Sequence, residues 1–282
     1  MSNGTGEASP HGRGQNSAMM GLLAAQGEAW RSYFSSELNT TIDETDKENR
    51  FTNPWQKDHY FAVGAEALQL VMTALLANQR PLPKRILDFP CGSGRVTRHL
   101  RAMFPDAEIG ACDLYQSHVD FCAEQFDAVP LPSLENLDDL DVGQWDLIFC
   151  GSLLTHLPDE QFRQSIDFMA RSLSPHGIAI ATLEGRHSIH IQDHKWKLID
   201  DERFAVARSS YDKNGFGFVD YAHSFRSENF GNQQSYGVTL AKPSHVMSVL
   251  EEKADIRILG FQERAWDDHQ DLVVFGKPGV NE

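Results

Sequence analysis

Basic residues are scarce in this chain: Lys and Arg number 25 against 40 Asp and Glu, for a formal net charge of −15. Nucleic-acid phosphates are bound chiefly by Lys and Arg, so a nucleic-acid partner is not expected, and an anionic membrane surface is disfavoured on the same ground. Long hydrophobic runs are missing as well. No stretch approaches the roughly 20 continuous apolar residues of a membrane helix, and Met1 to Asn16 has no apolar run of signal-peptide type. The expectation is a cytoplasmic protein without a membrane partner. Cysteine is limited to Cys91, Cys112, Cys122 and Cys150, and no pair has CxxC spacing. Zinc and disulfides are therefore poorly supported, and small apolar core residues in a reducing compartment are the simpler reading. No internal repeat is visible.

What the chain does have is alternation. After a Gly-, Ser- and Asn-rich stretch read as a disordered tail (1–17), helical spacing of apolar residues covers Ala18 to Phe34 and again Lys57 to Asn78. The turn Arg80-Pro-Leu-Pro83 closes this helical segment (18–83), because proline cannot continue a helix. Short apolar runs then alternate with helical ones from residue 84 to residue 183. Strands are expected at Arg85–Phe89, Glu108–Asp113, weakly at Val129–Leu131, and at Trp145–Cys150 and Gly177–Leu183. Near-continuous apolar strands between helices imply an α/β fold whose parallel sheet is covered on both faces. Residues 184–242 break the regularity with Gly, His, Ser, Asn and aromatics. A helix and an antiparallel hairpin follow in 243–282, with the turn at Ala265–Gln270.

The most informative segment is Ile86-Leu-Asp-Phe-Pro-Cys-Gly-Ser-Gly-Arg95. A strand ending in an acid, a glycine turn and a helix make a site for a polar ligand: glycine lets backbone approach closely, and a helix N-terminus offers unpaired N–H groups. Asp113 ends the next strand, 19 residues beyond Gly94, near the roughly 20 expected of an acid that grips ribose hydroxyls. A strand-end Asp also serves as a helix cap, and both uses stand. A dinucleotide fingerprint would need a third glycine, and that position is Thr97.

The arrangement of Asp88, Cys91, Gly92 and Gly94 resembles motif I of the class I, Rossmann-like methyltransferases that use S-adenosylmethionine. The resemblance runs from about Lys84 to Leu183. It implies a doubly wound, mostly parallel seven-stranded sheet that the terminal helix and antiparallel hairpin complete. It implies further that Asp88, Cys91, Gly92, Ser93 and Gly94 hold the amino-acid end of S-adenosylmethionine, that Asp113 takes the ribose, and that Leu114 packs on adenine. Many relatives carry an acid at the third strand. Val129-Pro-Leu-Pro-Ser133 has none, which leaves Ser133 and Leu134 as the adenine candidates. Cys150, Gly151 and Ser152 would line the passage for the methionine part. His156 follows them, either as a general base near its normal pKa of about 6.5 or as a loop histidine packed on the next helix.

Acceptor groups belong at the carboxyl ends of the strands, where the 184–242 insertion and the hairpin tip both fall. Arg186, Tyr211, Tyr221, Tyr236, Trp266 and His269 are the acceptor-binding candidates. Aromatics among glycines suit a lid over the acceptor, a packed cap or a homodimer contact. The His- and Asp-containing start of the insertion shows no carboxylate cluster of the magnesium type, so no metal is expected. The resulting expectation is methylation of a small molecule, with O-methylation of a hydroxylated metabolite or sugar placed first. The alternative is a non-catalytic S-adenosylmethionine-binding protein with a regulatory or structural role.

Overall fold

The computed structural model describes residues 10–46, 53–225 and 235–279. Helix α1 spans Pro10–Ser35, so it already includes residues 10–17, which the sequence suggested were tail. Once the apolar period from Ala18 nucleates a helix, each added residue gains one backbone bond, and a polar stretch can be carried along. Residues 1–9 of the expected tail lie outside the described residues. Helix α2, Pro54–Ala77, starts at an Asn53 cap whose side chain accepts from the Gln56 N–H, with proline in its first turn. It has the length and apolar composition of a membrane span, and in this fold Val63, Ala67, Leu68 and Val71 are buried, with the helix set against the core.

The sheet is built from β1 (Arg85–Asp88), β2 (Glu108–Asp113), β3 (Val129–Pro132), β4 (Trp145–Cys150), β5 (Leu173–Leu183), β8 (Arg257–Trp266) and β9 (Gln270–Gly276). Its order is β3-β2-β1-β4-β5-β9-β8, parallel from β3 to β5, with β9 antiparallel to both of its neighbours. This is the seven-stranded, mostly parallel sheet with a terminal antiparallel hairpin that the motif implied. The inner strands β1, β2, β4 and β5 read as largely apolar runs because both faces are covered, while β3 and β8 at the edges are partly exposed. Ile86, Leu147, Phe149 and Ile180 belong to the core beneath α2, α3 (Thr97–Met103) and α4 (Gln116–Phe126). Leu87, Ile148, Cys150 and Ala179 belong to the core under α5 (Asp159–Arg171) and α8 (Pro243–Glu251).

The insertion has more structure than its weak periodicity suggested. It contains α6 (Arg186–His194), α7 (Asp201–Asn214) and a two-stranded antiparallel sheet, β6 (Phe216–Asp220) with β7 (Gly237–Ala241). Residues 226–234 lie outside the described residues. The α7 helix packs through the narrow stripe Phe204, Ala207 and Tyr211. A Cβ at Gly217 would lie 1.8 Å from the Ala207 carbonyl oxygen, so glycine is what allows helix and strand to meet. Strand β7 then docks on the loop after β4. Gly237 N–H donates to the His156 carbonyl at 3.0 Å, and Thr239 N–H donates to the Thr155 carbonyl at 2.8 Å.

Candidate active site

The carboxyl ends of β1, β2 and β4 open into a cavity of about 450 Å³. Its first wall is the turn from β1 into α3. Asp88 is 1% exposed and accepts a 2.6 Å hydrogen bond from Thr97 Oγ1. Burial pushes its carboxyl up to about 7, against the pull of that bond. Thr97, legible in the sequence only as a missing glycine, thus steadies the motif's acid. Gly92 has φ of 49° and a Cβ there would meet nothing within 4 Å, so the turn leaves space on the cavity side. Cys91 also lines the cavity. The adjacent Cys122 thiol and burial hold its thiol well above the ordinary range, so it stays neutral.

Asp113 joins this wall to the next. Its Oδ2 accepts from Gly92 N–H and its Oδ1 from Tyr115 N–H, both at 2.9 Å. A carboxylate has about four acceptor sites, so two of them remain. His118 Nδ1 lies 3.3 Å from Asp113 Oδ1, at ion-pair distance though out of line for a hydrogen bond. Burial alone would lower the His118 pKa, but the Asp113 carboxylate carries it above its ordinary value. Leu114, Ser133 and Leu134 line the same region. So does Glu135, an acid that sequence reasoning missed because it sits beyond β3 rather than at its end.

The far wall comes from the loop after β4, the insertion and the hairpin. Gly151 and Ser152 line it. A Cβ on Gly151 would fall 2.8 Å from the Trp266 ring, so glycine admits that indole, whose Nε1 donates to the Val63 carbonyl at 2.9 Å. Ser152 has φ of 55°, costly for a residue with a side chain. Its N–H donates to Thr182 Oγ1 and its Oγ accepts from Gln270 Nε2, at 2.8 and 2.7 Å. His156 is held by a 2.8 Å bond from Nδ1 to the Gly237 carbonyl and lies against the Tyr236 ring, centroids 4.8 Å apart. A carbonyl only accepts, so Nδ1 carries the proton and Nε2 keeps its lone pair. Burial lowers the His156 pKa to about 4, so the imidazole is neutral and weakly basic.

The structure thus gathers Asp88, Cys91, Gly92, Ser93, Asp113, Leu114, Gly151, Ser152, His156, Tyr236 and Trp266 around one cavity. The remaining candidates lie elsewhere. A Cβ on Gly94 would strike the Phe126 ring at 2.2 Å, so its missing side chain serves packing against α4 and not ligand approach. Cys150 is wholly buried under the sheet. Arg186 is on the surface, paired with Glu263, and Tyr211 belongs to the small core of the insertion. Tyr221 stands behind His156, with its hydroxyl 3.3 Å from Nδ1. His269 folds back on the Asp267 carbonyl at 2.6 Å. Among the described residues, no cluster of three or more His, Cys, Asp or Glu is arranged to hold a metal.

Residues 87–179 match the family model of a methyltransferase domain. No curated protein sequence matches the chain. Among solved structures the fold is similar to an S-adenosylmethionine-dependent methyltransferase from Clostridium acetobutylicum, at TM-score 0.50 and 13% identity over 76% of this chain and 92% of that one. It is also similar to a protein from Pyrococcus horikoshii, at 0.52 and 13% over 78% and 91%. A third is an amino pentose methyltransferase from Micromonospora echinaspora, at 0.51 and 15% over 82% and 99%. At these identities the likeness is one of fold.

Proposed function

We propose that the chain is a class I S-adenosylmethionine-dependent methyltransferase, and that it methylates a small-molecule acceptor held against Ser152, His156 and Tyr236. The observation that carries this reading is the continuity of one cavity from Asp88, Gly92 and Asp113 to that far wall. Its volume is in the range of small-molecule sites, about 300–1,000 Å³. S-adenosylmethionine, when bound, supplies a methyl group on a sulfonium, which leaves to the acceptor's lone pair while the carbon–sulfur electron pair stays on sulfur.

The chain's own residues would act as follows. Asp113 has acceptor sites left for two ribose hydroxyls, and the open side of Gly92 leaves room for the amino-acid end. Asp88, firmly bonded to Thr97, presents its other oxygen to an ammonium group. Leu114, Leu134 and Glu135 would flank the adenine. Methyl transfer then needs alignment more than proton chemistry, and the far wall supplies it. A hydroxyl nucleophile of ordinary acidity would gain little from His156, whose basicity burial has reduced. We place this activity in the cytoplasm, where four free, buried thiols are stable.

Calorimetric titration with S-adenosylmethionine, with NAD as control, tests the reading. Micromolar binding of the first alone is expected, followed by methyl loss to some member of a small-molecule panel. Turnover confined to a nucleic acid would overturn the substrate class. Tight binding without methyl loss to any acceptor or extract would leave the non-catalytic alternative.

A further inference from the structure

A chain of hydrogen bonds in the far wall runs in one direction and ends at the cavity. His269 Nδ1 lies 2.6 Å from the Asp267 carbonyl, which only accepts, so Nδ1 carries the proton and Nε2 a lone pair. One side-chain atom of Gln270 lies 3.4 Å from that lone pair and 2.7 Å from Ser152 Oγ. Facing a lone pair, it is the amide nitrogen, with one hydrogen for each neighbour. Ser152 Oγ therefore accepts, and its own proton has no acceptor among the described residues. Ser152 borders the cavity and is only half-buried, so its O–H is left to donate into that space. The costly φ of this residue holds the hydroxyl there, as strained backbone does at functional sites.

His156 follows on the same loop, in a turn closed by bonds from His156 N–H to the Leu153 carbonyl and from Thr155 Oγ1 to the Ser152 carbonyl, both at 3.0 Å. Its Nε2 keeps a lone pair and has no protein partner among the described residues. One donor and one acceptor thus border the cavity a single turn apart, beside the Tyr236 ring. The side chains around them, Leu153, Ser235, Tyr236 and Trp266, carry no formal charge, so the reacting end of an acceptor bound there is uncharged as well. Oxygen and nitrogen then differ in their lone pairs. A hydroxyl has two and a proton, so it can accept from Ser152, donate to His156 and still attack. A neutral amine has a single lone pair, and accepting from Ser152 would occupy it.

We propose that the acceptor is an uncharged hydroxyl compound whose oxygen accepts from Ser152 Oγ and donates to His156 Nε2. The second lone pair of that oxygen forms the bond to the methyl carbon as the carbon–sulfur bond breaks, with its electron pair staying on sulfur. The hydroxyl proton passes to His156 Nε2 as the new bond forms, when the oxygen becomes positive and a weak base suffices, and His156 then releases it to solvent. This inference rests on the methyltransferase reading above and narrows its substrate class to oxygen nucleophiles.

The test uses the full chain and two isosteric planar probes, phenol and aniline, both uncharged at neutral pH and titrated calorimetrically with S-adenosylhomocysteine present. At least fivefold tighter binding of phenol is expected, since aniline leaves the Ser152 proton unpaired. Ser152→Gly should reduce that preference below twofold. It should leave S-adenosylhomocysteine affinity and the melting temperature close to those of the parent, because glycine adopts φ of 55° without strain. Equal affinity for the two probes in the unmodified protein, tighter binding of aniline, or no binding of phenol overturns the proposal without relying on any variant. So does a phenol preference that survives Ser152→Gly. Failure of S-adenosylhomocysteine itself to bind would instead overturn the methyltransferase reading, and this one with it.

Discussion

Gly92 and Gly94 stand two residues apart in one turn and answer to different constraints. Both have positive φ, 49° and 76°. At Gly92 a methyl group would meet nothing, so Gly92→Ala should cost only about 1 kcal/mol for the left-handed backbone while placing a carbon in the cavity. At Gly94 the same methyl group meets Phe126 at 2.2 Å, and overpacking adds about 1–3 kcal/mol to the backbone cost. The expected outcome is a crossover. Gly92→Ala loses cofactor affinity with little change in melting temperature, and Gly94→Ala loses stability first. Equal melting temperatures in the two variants would sink this division of roles.

Titration at the residue scale gives a second expectation. Burial raises Asp88 to about 7, Glu184 to about 8 and Asp271 to about 6. Unfolded carboxyls lose their protons near pH 4. The stability these neutral carboxyls contribute is therefore full below pH 4 and drains away as pH rises through 6 to 8. His99 and His156, lowered to about 4 by burial, act in the opposite sense, but only up to the unfolded histidine value of about 6.5. Above that, Asp88 and Glu184 remain, joined by the raised His118. Thermal melts of the ligand-free protein should fall from pH 6.5 to pH 8, and Glu184→Gln should flatten the fall. A rise over that interval would contradict the burial of these acids.

At the scale of elements, the loop that carries His156 is held as though it were an extra strand, because β7 takes up its carbonyls. The position of His156 is thus set by an element some 80 residues away in sequence, whose seating depends on α7 fitting over Gly217. Gly217→Ala should lift α7, destabilise the insertion by about 1–3 kcal/mol, and raise the KM for acceptor more than the affinity for cofactor changes. Acceptor kinetics beside cofactor titration would separate the two. This coupling also explains which elements were legible. The strands β1, β2, β4 and β5 and their helices announce themselves through unbroken apolar runs. In the insertion the pairing of β6 with β7 is long-range, and α7 buries only three residues, too few to write a clear period.

Across the whole molecule, the first wall of the cavity is built from residues near one another in sequence, and their meeting there was readable: Asp88, Gly92 and Asp113 follow from one strand–turn–helix unit and the next strand. The far wall unites His156, Tyr236 and Trp266, and no local pattern could have brought these together or set Arg186 and Tyr211 aside. Arg98 holds part of this assembly. Only 2% exposed, it donates to the carbonyls of Gly94, Asn39 and Thr41 at 2.8–3.0 Å. Arg98→Met should free the 36–46 segment at a cost of about 2 kcal/mol or more, since hydrogen bonds from charged groups are worth about 1.5–3 kcal/mol each. Limited proteolysis should then cut within that segment before anywhere in the sheet, and early cleavage elsewhere would count against the role given to Arg98.

The reversed strand β9 has a practical corollary. It carries the chain from the rim of the cavity to the opposite pole, where Arg80 donates to the Lys277 carbonyl at 2.8 Å and His176 to that of Pro278 at 3.0 Å. A fluorophore or sensor-chip linkage placed just beyond that pole would leave the cavity mouth turned toward solution, so surface-based titrations of cofactor and acceptor can be run on an oriented layer without shielding the site they measure.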